Sequence, residues 1–581
     1  MNYTIEHLNP FGIIIRNSGS EDSVDQFTDQ QINEWIVEHK LLVFKGYKTL
    51  SKQELALFAQ RLGKPLQWIF GAINDLKVKP EAENYIFTEN EVPLHWDGAF
   101  VKKIPYIILF QCITAPRKED MGGTTFSHTQ KVLENASEED IKEWQKISID
   151  YTTKKVVHYG GKIKQKLIQK HEVENQQVLR YAEPVNDLNP VSLEISGLED
   201  KSADIFVEQM REQLYHPDHL YTHRWENGDI VLADNHTLLH GREAFKNPNE
   251  RYIQRINILH RPDRFSLRRF IENCLTIRRK EFFVAELPIF LIPLLISISS
   301  WSDFLEPTLY LGLIAIILLF NIGDMINCYA DYKLDSIYKS HLSNAVYELG
   351  KKNVKTQIVL SGILALFLTC LISIDTQRLY LIPITILGIF IGIQYSIPPF
   401  KFKSNGILQF ICLWLIIFFG PMLYTAIITN GFPGFIALCL FSFYGLHQMG
   451  IIMLNTAEDY TEDKDSGLNT IIIHLGLHRA LNFAFRLVII SGLFIQFLLA
   501  YSLYISQAMG YLYFSIGIFT LGWLIIVQEY KVIIDKINVQ NENEAIKEIK
   551  KNGMKVPRWL KIGAYSTLTV IFILFILKLS K

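Results

Sequence analysis

The second half of this 581-residue chain is short of charge. Residues 281–581 hold 40 Asp, Glu, Lys and Arg in 301 positions, about 13%, against 77 in the first 280, about 27%. A soluble domain of that length would not be so poor in charge, whereas a membrane domain would be. Net charge is also nearly absent: 58 basic and 59 acidic residues give −1, with no basic stripe, which excludes nucleic acid as the main partner. Cysteine is scarce. Cys112, Cys274, Cys328, Cys370, Cys412 and Cys439 form no CxxC pair, so neither a zinc ribbon nor a disulfide framework is expected. The opening MNYTIEHLNPFG lacks a basic and apolar leader, so the expectation is no cleaved signal peptide and a cytoplasmic front half.

What the second half does have is apolar length. Nine stretches approach the roughly 20 residues that cross a bilayer: 282–301, 307–329, 356–374, 379–396, 407–428, 434–455, 480–502, 508–527 and 559–578. With the N-terminus inside, loops 330–355, 397–406, 456–479 and 528–558 are inside and carry 16 Lys and Arg, while the outside loops carry only Arg378. That asymmetry follows the positive-inside rule, with only Lys578 and Lys581 on the wrong side, and predicts a multi-pass protein of the cell (inner) membrane.

Acidic residues are costly in such a domain unless paired, solvated or used. They gather in two places: Asn327-Cys-Tyr-Ala-Asp331-Tyr-Lys-Leu-Asp335, and Asp459-Tyr-Thr-Glu-Asp463-Lys-Asp465. Spacing of four predicts Asn327, Asp331 and Asp335 on one helical face, with Asp324 near the same stripe. Two carboxylate clusters on the inner side suit Mg²⁺, which takes oxygen ligands and bridges to phosphate oxygens, so that a diphosphate becomes a good leaving group. NxxxDxxxD followed by DxxxD in nine helices resembles the UbiA superfamily of intramembrane prenyltransferases. Tyr395-Ser-Ile-Pro-Pro-Phe-Lys401-Phe-Lys403 is similar to that family's Y-S-x-P-P-x-x-x-K stretch. The resemblance covers about 280–581. It implies that Asp331, Asp335, Asp459 and Asp463 bind Mg²⁺ and an isoprenyl diphosphate, with Asn327 assisting and Tyr395, Lys401 and Lys403 on the substrate side. Each lysine reads equally well as a positive-inside anchor. Two departures touch the acceptor: Tyr338-Lys339-Ser-His341 stands where many members carry Arg, and Glu286-Leu-Pro288 where many carry a basic residue.

Residues 1–270 read as mixed structure. Helices are expected near 27–39, 51–62 and 137–147, and strands at LLVFKGY, YIILFQCI and DIVLAD. Twelve of the 16 histidines fall here, among them His95-Trp-Asp97 and His240. Two imidazoles and a carboxylate on one face of Fe(II) leave positions for a bidentate 2-oxo acid and O₂. The far carboxylate of such a co-substrate calls for an arginine fork, and Arg251 and Arg255 follow His240 by eleven and fifteen residues, on one face of a strand. HWD, then Gly122-Gly123-Thr124-Thr125-Phe126, then WENGD…DNHTLLHGREAF…RYIQR resembles the taurine dioxygenase (TauD/TfdA) family of Fe(II)/2-oxoglutarate oxygenases, over about 5–262. That resemblance implies a double-stranded β-helix, with His95, Asp97 and His240 as iron ligands. It also implies Arg251 and Thr125 on the 2-oxoglutarate carboxylate, and Arg255 facing substrate or co-substrate. HWDGAF, FQC, GGTTFS and His158-Tyr-Gly-Gly161 look most like oxygenases of isocyanide and pyoverdine-type pathways.

Other residues receive plainer expectations. His216, His219, His223 and His236 are expected as solvated loop histidines, and Trp96 as packing on the outer sheet face. Arg264, Arg268, Arg269, Arg278, Arg279 and Lys280 are expected on anionic headgroups. The expected architecture is therefore an oxygenase at 1–262, a basic juxtamembrane linker at 263–280 and an all-α bundle of nine transmembrane helices at 281–581. The leading expectation is a bifunctional membrane enzyme of natural-product biosynthesis. It would couple 2-oxoglutarate- and O₂-dependent hydroxylation or desaturation of a small molecule to Mg²⁺-dependent prenyl transfer. Two alternatives are a membrane-anchored oxygenase whose helical half only binds lipid, and a transporter with a fused sensor. Acids at helix ends rather than at midplane argue against the transporter.

Overall fold

The structure, a computed structural model, describes all residues except 1–2, 20–21, 69–70, 102, 157–158, 199–201, 248–249, 262–264, 508 and 581, so His158, Arg264 and Lys581 lie outside it. The chain forms two compact units. The first comprises Met1–Ser266 and Tyr332–Tyr347, the second Leu267–Asp331 and Glu348–Lys581.

In the first unit, the apolar runs LLVFK, IILFQCIT and IVLAD become neighbouring strands, Leu41–Lys45, Ile107–Thr114 and Ile230–Asp234, in an eight-stranded sheet. Pairing within it is antiparallel except between Ile13–Asn17 and Leu41–Lys45. These runs lack a polar alternation because both faces are covered. On one face Leu42, Phe44, Leu232 and Ile256 pack with Ile32, Ile36, Leu55 and Phe58. Those last four come from helices Asp29–His39, begun by the Thr28 cap, and Lys52–Leu62, begun by a Ser51–Glu54 capping box. On the other face Val43, Phe110, Val231 and Ile253 meet Phe126 and Leu238 of a second sheet. That sheet runs Leu220–His223, Thr124–His128, Leu238–Arg242, Val92–His95. The expected helix near 137–147 is Glu138–Trp144.

Residues 332–347, read from sequence with the helical half, group by contact with the first unit. Ile337 is buried in the helix-side core. Tyr332 donates to Gln60 Oε1 at 2.7 Å, Gln60 donates to Ser343 Oγ at 3.1 Å, and the Ala72 amide donates to the Ile337 carbonyl at 2.6 Å.

The second unit is helical. Among the described residues seven helices are long and apolar enough to cross a membrane: Pro307–Ala330, Lys351–Asp375, Gly406–Asn430, Phe435–Glu458, Leu477–Ile505, Ile516–Asn538 and Glu542–Leu579. The other two expected spans are shorter apolar helices, Phe283–Ser297 and Leu381–Ser396, so among the described residues seven of the nine expected spans are of membrane-crossing length. At 15 and 16 residues these two rise only about 22–24 Å, and the first carries Pro288 and Pro293 in its interior. The core between helices is apolar, built from residues such as Phe441, Leu454, Ile472, Leu481 and Trp559.

Candidate active sites

In the first unit, the antiparallel register sets His240 on Leu238–Arg242 directly opposite His95 at the end of Val92–His95. Directly paired residues share a face, so both imidazoles point the same way. Their rings lie 4.4 Å apart. Asp97, two residues beyond the strand, completes the group, with Oδ1 3.8 Å from His95 Nε2 and 3.9 Å from His240 Nε2. Asn235 fixes the Asp97 backbone from behind. Its Oδ1 accepts the Asp97 amide at 2.8 Å, and its Nδ2 donates to the Asp97 carbonyl at 3.1 Å. His95 Nδ1 is 2.9 Å from the Pro93 carbonyl, which leaves Nε2 as the inward lone pair.

The electrostatics match that geometry. Burial pushes the His240 pKa down to about 3, the His95 imidazole adds to the effect, and Asp97 opposes it. His95 is lowered as well, chiefly by burial. Burial alone would raise Asp97, but Arg255, His240 and His95 together hold it below the ordinary carboxylate range. Two neutral imidazoles and one ionised carboxylate are the donor set a divalent transition metal takes. Both ring nitrogens of His240 are buried without a hydrogen-bond partner, and a metal bond at Nε2 would remove one of these two costs.

Arg251 and Arg255 alternate with Ile253, which packs between the two sheets, so both guanidinium groups face that interior. Arg255 Nη1 lies 2.9 Å from Asp97 Oδ2. Arg251 donates to the Gly122 carbonyl at 3.0 Å, and burial, with Arg242 nearby, lowers its pKa to about 9. A buried cation of this kind is suited to an incoming carboxylate. Thr125 pairs with Gly241, where any Cβ would stand 2.8 Å from Thr125 Oγ1 and 2.6 Å from the Val92 carbonyl.

Several expectations need correction. His219, His223 and His236 are buried, not solvated; only His216 is exposed. His223 pairs with Asp229 at 3.0 Å, and His219 meets Asn135 at 2.8 Å. Trp96 lies in the core at 1% exposure, under the Arg180 guanidinium, instead of on an outer face. A second buried group, His171, Glu174 and Asp234, went unread in the sequence. Lys40 is 2.5 Å from Glu174, and Asp234 accepts from His171 and from the Thr237 amide and hydroxyl, so the group is an ion-paired network around Lys40.

In the second unit, Pro307–Ala330 ends one residue before Asp331, which caps it by donating its amide to the Asn327 carbonyl at 2.9 Å. The single helical face expected for Asn327, Asp331 and Asp335 is therefore broken. Asp335 sits on a new short helix, Tyr332–Tyr338, which belongs to the first unit. Around Asp331, Lys403 forms an ion pair with its carboxylate, and Ser396 donates to Asn327 Oδ1 at 3.3 Å. Lys401, in left-handed backbone at φ 42°, precedes that contact. Tyr395 is within electrostatic reach of both Asp331 and Asp463.

The second motif repeats the construction. Asp459 caps Phe435–Glu458, and Asp463 follows on the short helix Tyr460–Asp465, its amide donating to the Asp459 carbonyl at 2.8 Å. Asn455, four residues before Asp459, was missed although the Asn327–Asp331 spacing points to it; it is exposed near the end of Phe435–Glu458. Among the described residues, Asp331, Asp459 and Asp463 do not bring carboxylate oxygens within 4.8 Å of one another as a group.

Comparison with known proteins matches both halves. Residues 5–257 match "Taurine catabolism dioxygenase TauD, TfdA family", and residues 287–538 match "UbiA prenyltransferase family". The 3-((Z)-2-isocyanoethenyl)-1H-indole synthase of Fischerella ambigua is 39% identical over 261 residues, covering 44% of this chain and 96% of that protein. The tyrosine isonitrile desaturase of Pseudomonas aeruginosa is 32% identical over 258 residues, 43% of this chain and 88% of that one. The solved structure of PvcB, described as an Fe, alpha-ketoglutarate dependent oxygenase from an isonitrile synthetic pathway, aligns at 28% identity over 44% of this chain and 91% of that chain, with TM-score 0.39.

Proposed function

The chain belongs to the TauD/TfdA dioxygenase family through residues 5–257 and carries a UbiA prenyltransferase-family domain at 287–538, and from that premise we propose a bifunctional membrane enzyme. The front unit oxidises a small aromatic isonitrile by desaturation, and the helical unit prenylates a small molecule of the same route. The observation that carries the first half is the His95–Asp97–His240 group, with its partnerless His240 nitrogens. Those three residues hold Fe(II), which supplies O₂ activation at the expense of 2-oxoglutarate. Arg251 and Thr125 hold the distal carboxylate of 2-oxoglutarate. Arg255, paired with Asp97, orients that ligand and faces the substrate. The balance is substrate plus 2-oxoglutarate plus O₂ giving desaturated substrate, succinate, CO₂ and water.

The relatives named for isonitrile chemistry support the substrate class, since the matched region spans nearly their whole length. In the helical unit, Asp331, Asp459 and Asp463, with Asn327 and Asn455, would hold Mg²⁺ and an isoprenyl diphosphate. Lys403, Lys401 and Tyr395 would contact the diphosphate, and a bound Mg²⁺ would supply charge neutralisation for the leaving group. In this reading the domains divide at 262 and 281, the N-terminus is cytoplasmic, and the double-stranded β-helix is the front fold. A second reading, a helical half that only anchors the oxygenase, draws on the Asp331–Lys403 pair, which already satisfies one motif carboxylate.

Full-length protein with Fe(II), 2-oxoglutarate and a tyrosine- or tryptophan-derived isonitrile is expected to release succinate in step with vinyl isonitrile. Substrate-independent succinate alone would overturn the substrate class. Asp463→Asn with undiminished prenyl transfer would overturn the Mg²⁺ site.

A further inference from the structure

We propose that the short helix Glu542–Asn552, with Gly553 behind it, is a brace that positions the second aspartate motif. Lys550, Glu462, Glu542 and Gly553 are then positioning residues for Asp459 and Asp463. The inference rests on the reading that these two aspartates hold the metal-bound diphosphate.

A helix of six residues, Tyr460–Asp465, cannot fix its own orientation, since helices shorter than about 12 residues are marginal alone. Its direction must come from what it touches. Tyr460 is buried with Ala545 and Ile549 of the brace in one apolar core. Lys550 Nζ lies 2.8 Å from Glu462 Oε1, and the Glu462 side chain is only 14% exposed. Glu542 takes hydrogen bonds from Tyr460 at 3.3 Å and from Lys464 at 3.1 Å. Glu458, just before Asp459, places its carboxylate where a side chain on residue 553 would stand. Gly553 has ordinary helical dihedrals, φ −56° and ψ −33°, so glycine there serves space and not backbone freedom. Residues 458, 460, 462 and 464 are thus each held by the brace, and the aspartates at 459 and 463 stand between them. The exposed Lys464–Glu542 pair contributes little by itself. The half-screened Lys550–Glu462 pair and the burial of Tyr460 with Ala545 and Ile549 set the geometry.

The test is Mg²⁺-dependent binding of inorganic pyrophosphate to the full-length protein in nanodiscs, with thermal unfolding run in parallel. Lys550→Glu is expected to weaken binding by about tenfold, and the swap Lys550→Glu with Glu462→Lys to recover most of it. Lys547→Glu, the same charge change at an exposed site on the brace, should leave affinity within about twofold. Gly553→Ala, which alters no charge, should weaken binding about threefold. Equal losses for Lys550→Glu and Lys547→Glu, or a swap that recovers nothing, would overturn the brace. Should Lys550→Glu not fold, Lys550→Met, which removes the partner of Glu462 without reversing the charge, decides in its place, with unchanged affinity counting against the brace. Asp463→Asn separates the levels. If it binds like the parent, the reading of the motif fails; if it loses binding while the brace variants do not, only the brace fails.

Discussion

The two candidate sites differ in how completely the chain builds them. At the sheet site, strand register alone sets His95 opposite His240, and Asn235 locks the Asp97 backbone beside them, so the donors converge through the protein's own hydrogen bonds. At the helical site Asp331 and Asp459 each follow the end of a long helix, and a short helix carries Asp463. Sheets position residues two-dimensionally through shared backbone hydrogen bonds; helix ends position them one at a time through side-chain partners. The lesson is that the sheet site is preorganised, and the helical site depends on its ligands and on neighbours such as Lys403.

The sharpest way to break that comparison is at the sheet site. His240→Ala removes one of three converging donors, and iron-dependent succinate release is expected to fall by at least about 100-fold. Iron titration of the full-length protein should show the loss of affinity directly. If His240→Ala keeps parental iron affinity, the convergence has no chemical meaning. At the helical site the corresponding change is milder. Lys403→Met frees Asp331 of its cation, and Mg²⁺–pyrophosphate affinity is expected to shift by about tenfold or less, with the Mg²⁺ dependence of binding changed. A complete loss there would mean the helical site is as preorganised as the sheet site.

The smallest expected effect is one of pH. His128 and His236 are buried in the first unit, and burial depresses both to about 3. Their pKa lies below the unfolded value near 6.5, so the unfolded chain binds more protons in acid. Stability is intact above about pH 6.5 and falls as pH drops toward 3, by roughly 1 kcal/mol per histidine per pH unit at first. Denaturant unfolding of the first unit at pH 7.5 and 5.5 checks this, and His128→Gln should flatten part of the slope.

Much of this was legible in the sequence, because the informative residues sit close together. HWD, the apolar strand runs and the charge-poor second half are local patterns, and the sheet strands and the seven long helices follow them. What was not legible depends on distant partners. His219, His223 and His236 look solvated among polar neighbours, yet folding brings Asn135 to His219 and buries Asp229 against His223. Asn235 reads as a turn residue until Asp97, 138 positions earlier, is placed against it. The break at Asp331 was hidden for a different reason: four-residue spacing fits a continuous helix as well as a capped one followed by a new turn. Segment 332–347 carries enough apolar residues to join either half, and only the Gln60, Gln67 and Ala72 contacts decide it.

The divided first unit also sets an order of events during synthesis. Its core takes in Ile337, so when residue 266 leaves the ribosome that core still lacks one member, which follows a membrane-length helix and arrives as residue 347 emerges. At roughly 5–20 residues per second, that is a pause of about 4–16 seconds. Through that interval the helix-side core lacks its last apolar member, and the nascent oxygenase is finished only after the chain has begun to enter the bilayer.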